Sequence, residues 1–303
     1  MTRRLLVFGS TGQVGRELAR AAWPAGMAAT FLDRRAADFA RPEALSGIVS
    51  RQKPDAIIIA AAYTAVDAAE SDEETATMVN AVAPGSIARS AAALSVPTVY
   101  ISTDYVFDGE KGGRYVEQDA VNPINAYGRS KLAGEIAVRA ANPRHLILRT
   151  SWLYSAHGTN FLRSMLKLAA TRKEATIVAD QYGCPTAAAD LAQAIARIAP
   201  LLFDADTRWG TYHLAGESET TWHGFAEAIF AELAKRGLRR PINRAISTAE
   251  FPRPARRPAN SRLSSAAFRR AFGIRLPGFE AAVPRVLDEA LAEEAQEEGA
   301  VHA

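Results

Sequence analysis

A single cysteine, Cys184, stands among 303 residues. That excludes an intramolecular disulfide and a cysteine metal cluster, and it fits a reducing compartment, the cytoplasm. Long apolar runs are missing too. Nothing approaches the ~20 residues a helix needs to cross a bilayer, and no charged-then-apolar leader precedes the first strand. Charge of one sign is scarce: 36 Lys and Arg against 33 Asp and Glu leave +3. Over this length so small an excess points to neither nucleic acid nor membrane as a partner. Internal repeats and low-complexity segments are absent apart from a richness in alanine. What remains, 48% hydrophobic and 23% charged, is a soluble globular composition of one large or two ordinary domains.

The first half alternates strand and helix patterns. Arg4 to Phe8 is a short apolar run of buried-strand type. Gly9-Ser10-Thr11-Gly12-Gln13-Val14-Gly15 follows, and Val14 to Trp23 reads as a helix. Glycines between a strand and a helix allow a tight turn and bring backbone N–H groups to a pyrophosphate at the helix N-terminus. The spacing is G-x-x-G-x-x-G rather than G-x-G-x-x-G. A second strand, Ala28 to Leu32, ends in Asp33, eighteen residues past Gly15, where an acid bonds the adenosine ribose. Arg34 and Arg35 come next and suit a 2′-phosphate, so NADH and NADPH both stay open. Asp38 and Phe39 are candidates for the adenine side.

Ala56 to Ala60 is a continuous apolar run, as in a strand covered on both faces. Ala61, Ala62, Tyr63 and Thr64 follow at its C-terminal end, where small residues let a cofactor lie against the backbone. Thr75 to Leu94 is a helical pattern that Pro84 and Gly85 should kink or divide. Asn80 within it is either a buried hydrogen bonder or an exposed polar residue. Pro97 to Ile101 is the next strand, ending in Ser102-Thr103-Asp104-Tyr105.

Asn122 to Glu135, NPINAYGRSKLAGE, holds Tyr127 and Lys131 four residues apart. On a helix they share a face. A nearby ammonium favours the phenolate and lowers the tyrosine pKa, which suits a proton-transfer role. An isolated Y-x-x-x-K is more often a surface pair, so the rest of the chain must decide.

Four motifs agree in order: GSTGQVG, AAYTAVDAAE, STDYVFDG and YGRSK. With Arg149 to Tyr154, Asn160-Phe161, Asp180 to Thr186 and Arg256 to Ser261, the chain resembles the extended short-chain dehydrogenase/reductase family along nearly its whole length. The resemblance implies a doubly wound parallel (Rossmann) sheet with a smaller α/β C-terminal substrate domain. It implies reduction, by NADPH or NADH, of the C4 keto group of a dTDP-linked 4-keto-6-deoxy sugar. Thr103 would polarise the keto oxygen, Tyr127 deliver the proton, and Lys131 hold the nicotinamide ribose and depress the tyrosine pKa. Gly12, Gln13 and Val14 match pyrophosphate contacts, within the turn of Gly9, Thr11 and Gly15. Asp38 and Phe39 match adenosine contacts, and Ala62, Tyr63 and Thr64 the loop beside the cofactor. Asp104, Trp152, Asn160 and Arg257 match substrate-side positions. Nucleotide-sugar dehydratases of this superfamily carry Thr-Asp-Glu at the active strand. Here Tyr105 replaces the glutamate, which disfavours elimination. Tyr63 stands where relatives often carry histidine.

The second half is less regular. Helices are expected over Phe161 to Ala170, Asp190 to Leu201 and Thr221 to Lys235, and strands over Ala175 to Ala179 and Trp209 to Ala215. Residues 1–150 read as the dinucleotide-binding domain and 151–303 as mainly the substrate domain, with some elements returning to the first. Phe251 to Pro258 is rich in proline and arginine. It is either a stiff basic linker or a diphosphate contact. His213 and His223 read as structural. Val283 to Ala295 is a last amphipathic helix, with a Glu-rich end expected to fray. Some relatives bridge dimers with metal through acids near such a helix, but those acids find no secure match here. No metal site is assigned, and a homodimer is the assembly to test. The rivals are an epimerase of the same superfamily and a non-catalytic dinucleotide-binding regulatory subunit.

Overall fold

The computed structural model describes residues 2–301. At its centre lie strands β1 (Arg3–Phe8), β2 (Met27–Leu32), β3 (Ala56–Ile59), β4 (Thr98–Thr103), β5 (His145–Thr150) and β6 (Gly210–His213). They pair in parallel in the order β2-β1-β3-β4-β5-β6. The helices used below are α1 (Gln13–Arg20), α2 (Leu45–Gln52), α3 (Glu73–Thr77), α4 (Ala83–Ala93), α5 (Ala126–Ala141), α6 (Phe161–Thr171), α7 (Ala188–Ile198), α8 (Trp222–Lys235) and α9 (Phe279–Val301).

β3, β4 and β5 are buried at every residue, as parallel strands covered on both faces must be. Alternation along each strand divides their side chains between two cores. Leu5, Val7, Ile58, Val99 and Leu146 pack with Val14 and Leu18 of α1 and Leu191 and Ile195 of α7. Leu6, Phe8, Ile57, Tyr100 and Ile147 pack with Leu45 of α2, Ile87 of α4 and Val138 of α5. The fold is the doubly wound parallel α/β sheet that the sequence implies. The winding reverses between β1 and β3. A ligand crevice therefore opens outside their C-terminal ends.

Beyond β5 the chain serves both lobes. β6 and α7 complete the central sheet and its cover. A smaller lobe pairs Glu174–Val178 in parallel with Ile242–Ile246. Its core joins Leu162 and Met165 of α6, Phe225 and Phe230 of α8, and Phe279 and Leu287 of α9.

Three local readings need correction. α1 ends at Arg20, short of Trp23, because Pro24 follows and cannot continue a helix. The pattern over Thr75 to Leu94 breaks just before Pro84: a π turn spans Met78–Val82, and the Ala83 N–H bonds the Met78 carbonyl. α9 continues through the Glu-rich stretch expected to fray. The expected solvation of its acids at 297 and 298 lies outside the described side chains.

Candidate active site

The crevice is a cleft of about 900 Å³. Its floor begins at the β1–α1 turn. Gly9, Thr11, Gly12, Gln13 and Val14 line it. Gly12 is the N-cap of α1, and no side chain caps its first-turn donors, which leaves them to an anion. Gly9 has φ +94°, a conformation glycine accepts readily. Gly15, expected among the cofactor contacts, does not line the cleft. A Cβ there would lie 2.0 Å from the Gly9 carbonyl oxygen, so Gly15 lets the helix close on the turn.

Asp33, Arg34, Asp38 and Phe39 line the far end. Asp33 Oδ1 accepts a bond from the Ala36 N–H at 2.9 Å. Arg34 reaches Asp38 Oδ1 at 3.6 Å with its side chain 83% exposed, and with Arg35 it lines an adjoining recess of about 420 Å³. Asp33 and both arginines thus border the same end of the cleft, which favours neither NADH nor NADPH. Ala61, Ala62, Tyr63 and Thr64 form one wall. Asn80, buried in the π turn, fixes that wall. Its side chain takes the Tyr63 N–H at 2.9 Å and donates to the Tyr63 carbonyl at 3.1 Å and to Ser130 of α5 at 2.9 Å.

Thr103 ends β4. Its hydroxyl caps the following turn, accepting from the Tyr105 N–H at 3.2 Å, and donates to Asp104 Oδ1 at 3.0 Å. Tyr127 stands in the first turn of α5, which Asn125 caps by accepting from the Gly128 N–H at 2.7 Å. Thr103, Asp104, Tyr127 and Lys131 all line the cleft. Lys131 is 1% exposed. Its ammonium donates to the Ile101 carbonyl at 2.6 Å and sits 4.0 Å above the Tyr100 ring. Burial lowers Lys131 to about 7, against the pull of Glu135.

The expected depression of Tyr127 by Lys131 is not what this geometry gives. Burial pushes Tyr127 up to about 12; Thr103 draws it down and Asp104 pushes it further up. The Lys131 charge is turned to Ile101 and Tyr100. At neutral pH Tyr127 is therefore a protonated phenol, the state a proton donor needs. Burial also raises Asp104, to about 7, against the Ser261 and Thr103 hydroxyls beside it.

On the substrate side Trp152 lines the cleft and stacks flat on Trp222, with centroids 3.5 Å apart and 4° between planes. Asn160 lines it too, but its amide is committed: it caps α6 and donates to the Ser155 and His157 carbonyls. Arg257, expected at the substrate, is not among the lining residues. It pairs with Asp67 at 2.8 Å, as Arg253 does at 2.7 Å.

The family model described as RmlD substrate binding domain matches residues 3–292. The chain belongs to that family. It is 45% identical over 287 residues to the dTDP-4-dehydrorhamnose reductase of Sinorhizobium fredii, covering 94% of this chain and 96% of that one. To the same enzyme of Escherichia coli it is 40% identical over 290 residues, covering 94% and 97%. The crystal structure of dTDP-4-dehydrorhamnose reductase from Bacillus anthracis in complex with NADP superposes with a TM-score of 0.87 at 33% identity, covering 95% of this chain and 100% of that one.

For a member of the RmlD family, sequence reasoning missed Trp222, whose partner lies seventy residues away, and the bond from Ser155 to Gln13 Oε1 at 2.9 Å. Neither leaves a local pattern. Away from the cleft, Glu17, His157 and Glu289 bring ligand atoms within 4.8 Å of one another. Arg20 bonds His157 Nε2 at 2.7 Å and pairs with Glu289, so a guanidinium stands where a cation would.

Proposed function

We propose that the protein reduces the C4 keto group of dTDP-4-dehydro-L-rhamnose to dTDP-L-rhamnose, using NADPH or NADH. The observation that carries this is Thr103, Tyr127 and Lys131 meeting in one nucleotide-sized cleft, in a chain whose relatives are reductases of that name along almost their full length. The uncapped α1 N-terminus suits the cofactor pyrophosphate, and the cofactor supplies the hydride. The hydroxyls of Thr103 and Tyr127 both border the cleft, where donors to the oxygen that becomes an alkoxide are needed before charge develops. Tyr127, held protonated, gives it a proton. Lys131 braces the β4 end through the Ile101 carbonyl. Tyr105 offers no carboxylate for elimination.

Among the described residues no helix is long and apolar enough to cross a membrane. A cytoplasmic location and a homodimer belong to this proposal. So does a reach of Arg257 toward the substrate diphosphate.

Purified protein is expected to consume one NAD(P)H per dTDP-4-keto-6-deoxy sugar, followed by cofactor absorbance and product identity. Tyr127→Phe should lose ~10²–10⁴ in kcat while still binding cofactor. Interconversion of sugar nucleotides without cofactor loss would instead identify an epimerase. Cofactor binding with no turnover would identify a regulatory subunit.

A further inference from the structure

The reaction leaves Tyr127 as a phenolate that must regain a proton before the next turnover. Lys131, the neighbour on the same helix face, points its ammonium at the Ile101 carbonyl and the Tyr100 ring. On the other side a different connection exists. A hydrogen bond from Thr103 draws the Tyr127 phenol down, and Thr103 Oγ1 lies 3.0 Å from Asp104 Oδ1, a bond that runs from threonine to the carboxylate and from the carboxylic acid to threonine. Asp104 is 2% exposed and lines the cleft, yet its second oxygen, Oδ2, is buried and receives no hydrogen bond, since the Ser261 hydroxyl nearby donates to the Tyr182 carbonyl at 3.4 Å. A buried carboxylate oxygen without a donor is costly, whereas the carboxylic acid form needs one donor fewer.

We infer that Asp104 is the proton reservoir of the site, reloading Tyr127 through the Thr103 hydroxyl after each reduction. This rests on the reductase reading. Once the Tyr127 proton has gone to the substrate oxygen, the phenolate takes the Thr103 hydroxyl proton. Thr103 takes the carboxyl proton of Asp104, and Asp104, now a carboxylate, recovers one from water as product leaves. One O–H bond breaks and one forms at each transfer, and each cycle draws one proton from solvent for each hydride delivered.

Burial raises Asp104 to about 7, so the reservoir is about half filled at pH 7 and fills as pH falls below it. The ionisable groups that feel it are Tyr105 on its own turn, Tyr127 on α5 and Cys184 from the second half. Burial raises all three, and none titrates near neutrality. Lys131 does titrate there, at about 7, so the pH profile must be compared between parent and variant.

The test is Asp104→Asn in rapid-mixing assays with NADPH and dTDP-4-keto-6-deoxy sugar. The expected result is a burst of one NADPH oxidised per site, then a steady state slowed ~10²-fold. The fall of kcat above about pH 7 should be lost. Asp104→Ala should regain steady-state turnover when formate is added. In the cofactor-free protein, infrared difference spectra through that pH range should show a protonated-carboxyl band that Asp104→Asn abolishes. First and later turnovers slowed alike would make Asp104 a sugar contact only and overturn the relay. So would an unchanged kcat and pH profile, or a parent without the carboxyl band. A parent that never consumes NADPH with the sugar overturns the reductase reading instead.

Discussion

Ionising Asp104 sets a charge in a site where its second oxygen has no donor, and the folded protein resists it. Its folded pKa of about 7 lies above the ordinary 3.8. The folded state therefore holds a proton that the unfolded state has released, and stability falls as pH rises through that window. Asp104→Asn keeps the shape and removes the charge. It should be more stable than the parent at pH 8 by ~1–4 kcal/mol and indistinguishable below about pH 4. Thermal melts at both values check this, and equal melting temperatures at pH 8 would refute it. At this scale the sequence is half legible. Tyr127 and Lys131 can be placed on one helical face because four residues is one turn. Where the Lys131 ammonium points depends on Ile101 and Tyr100, which lie on strand β4.

Helix α5 carries Tyr127, the proposed proton donor, and its closeness to the β4 end depends on Gly128. A Cβ there would lie 2.2 Å from the Tyr105 carbonyl oxygen and 2.9 Å from Pro123. In an exposed helix, Gly→Ala gains ~1 kcal/mol. Gly128→Ala should do the reverse, lowering the melting temperature and moving Tyr127 away from Thr103. A displacement near 1 Å costs ~10²-fold in rate, so kcat should fall by that order; a raised melting temperature with normal kcat would count against this packing. Strands β1, β3 and β4 are legible as apolar runs because both faces are buried. The π turn is not: a bond spanning five residues has no signature of its own, and Pro84 marks a break without saying on which side it falls. Asn80 owes its reach toward Tyr63 and Ser130 to that turn.

Across the whole molecule, Asp67, in the one-turn helix Val66–Ala69 after β3, ties that helix to the late Arg253–Arg257 segment. It accepts from both arginines and from the Ala255 N–H at 3.2 Å. Partial burial pushes Asp67 up, but Arg257, Ala255 and Arg253 together bring it below its ordinary value. The latch therefore stabilises at neutral pH and weakens as pH falls below the ordinary carboxylate range. Asp67→Ala should free the segment, and trypsin should then cut after exposed Arg256 several-fold faster than in the parent, because the bonds after Arg253 and Arg257 precede proline and resist. Equal cutting rates would show that the latch does not hold the segment. Lone charges nearly two hundred residues apart leave no pattern to read, so the arginines look like diphosphate ligands in sequence and like latch partners in the fold. The same long reach governs the sheet itself. β6 arrives only with residue 213, some sixty residues after β5 ends at Thr150. A ribosome adding ~5–20 residues per second takes roughly 3–12 s to supply it. Throughout that interval the nascent chain holds β5 as an open, apolar edge that neighbouring chains can pair with. The birth of this protein thus has a vulnerable interval written into its strand order, and anything that stalls translation between those points lengthens it.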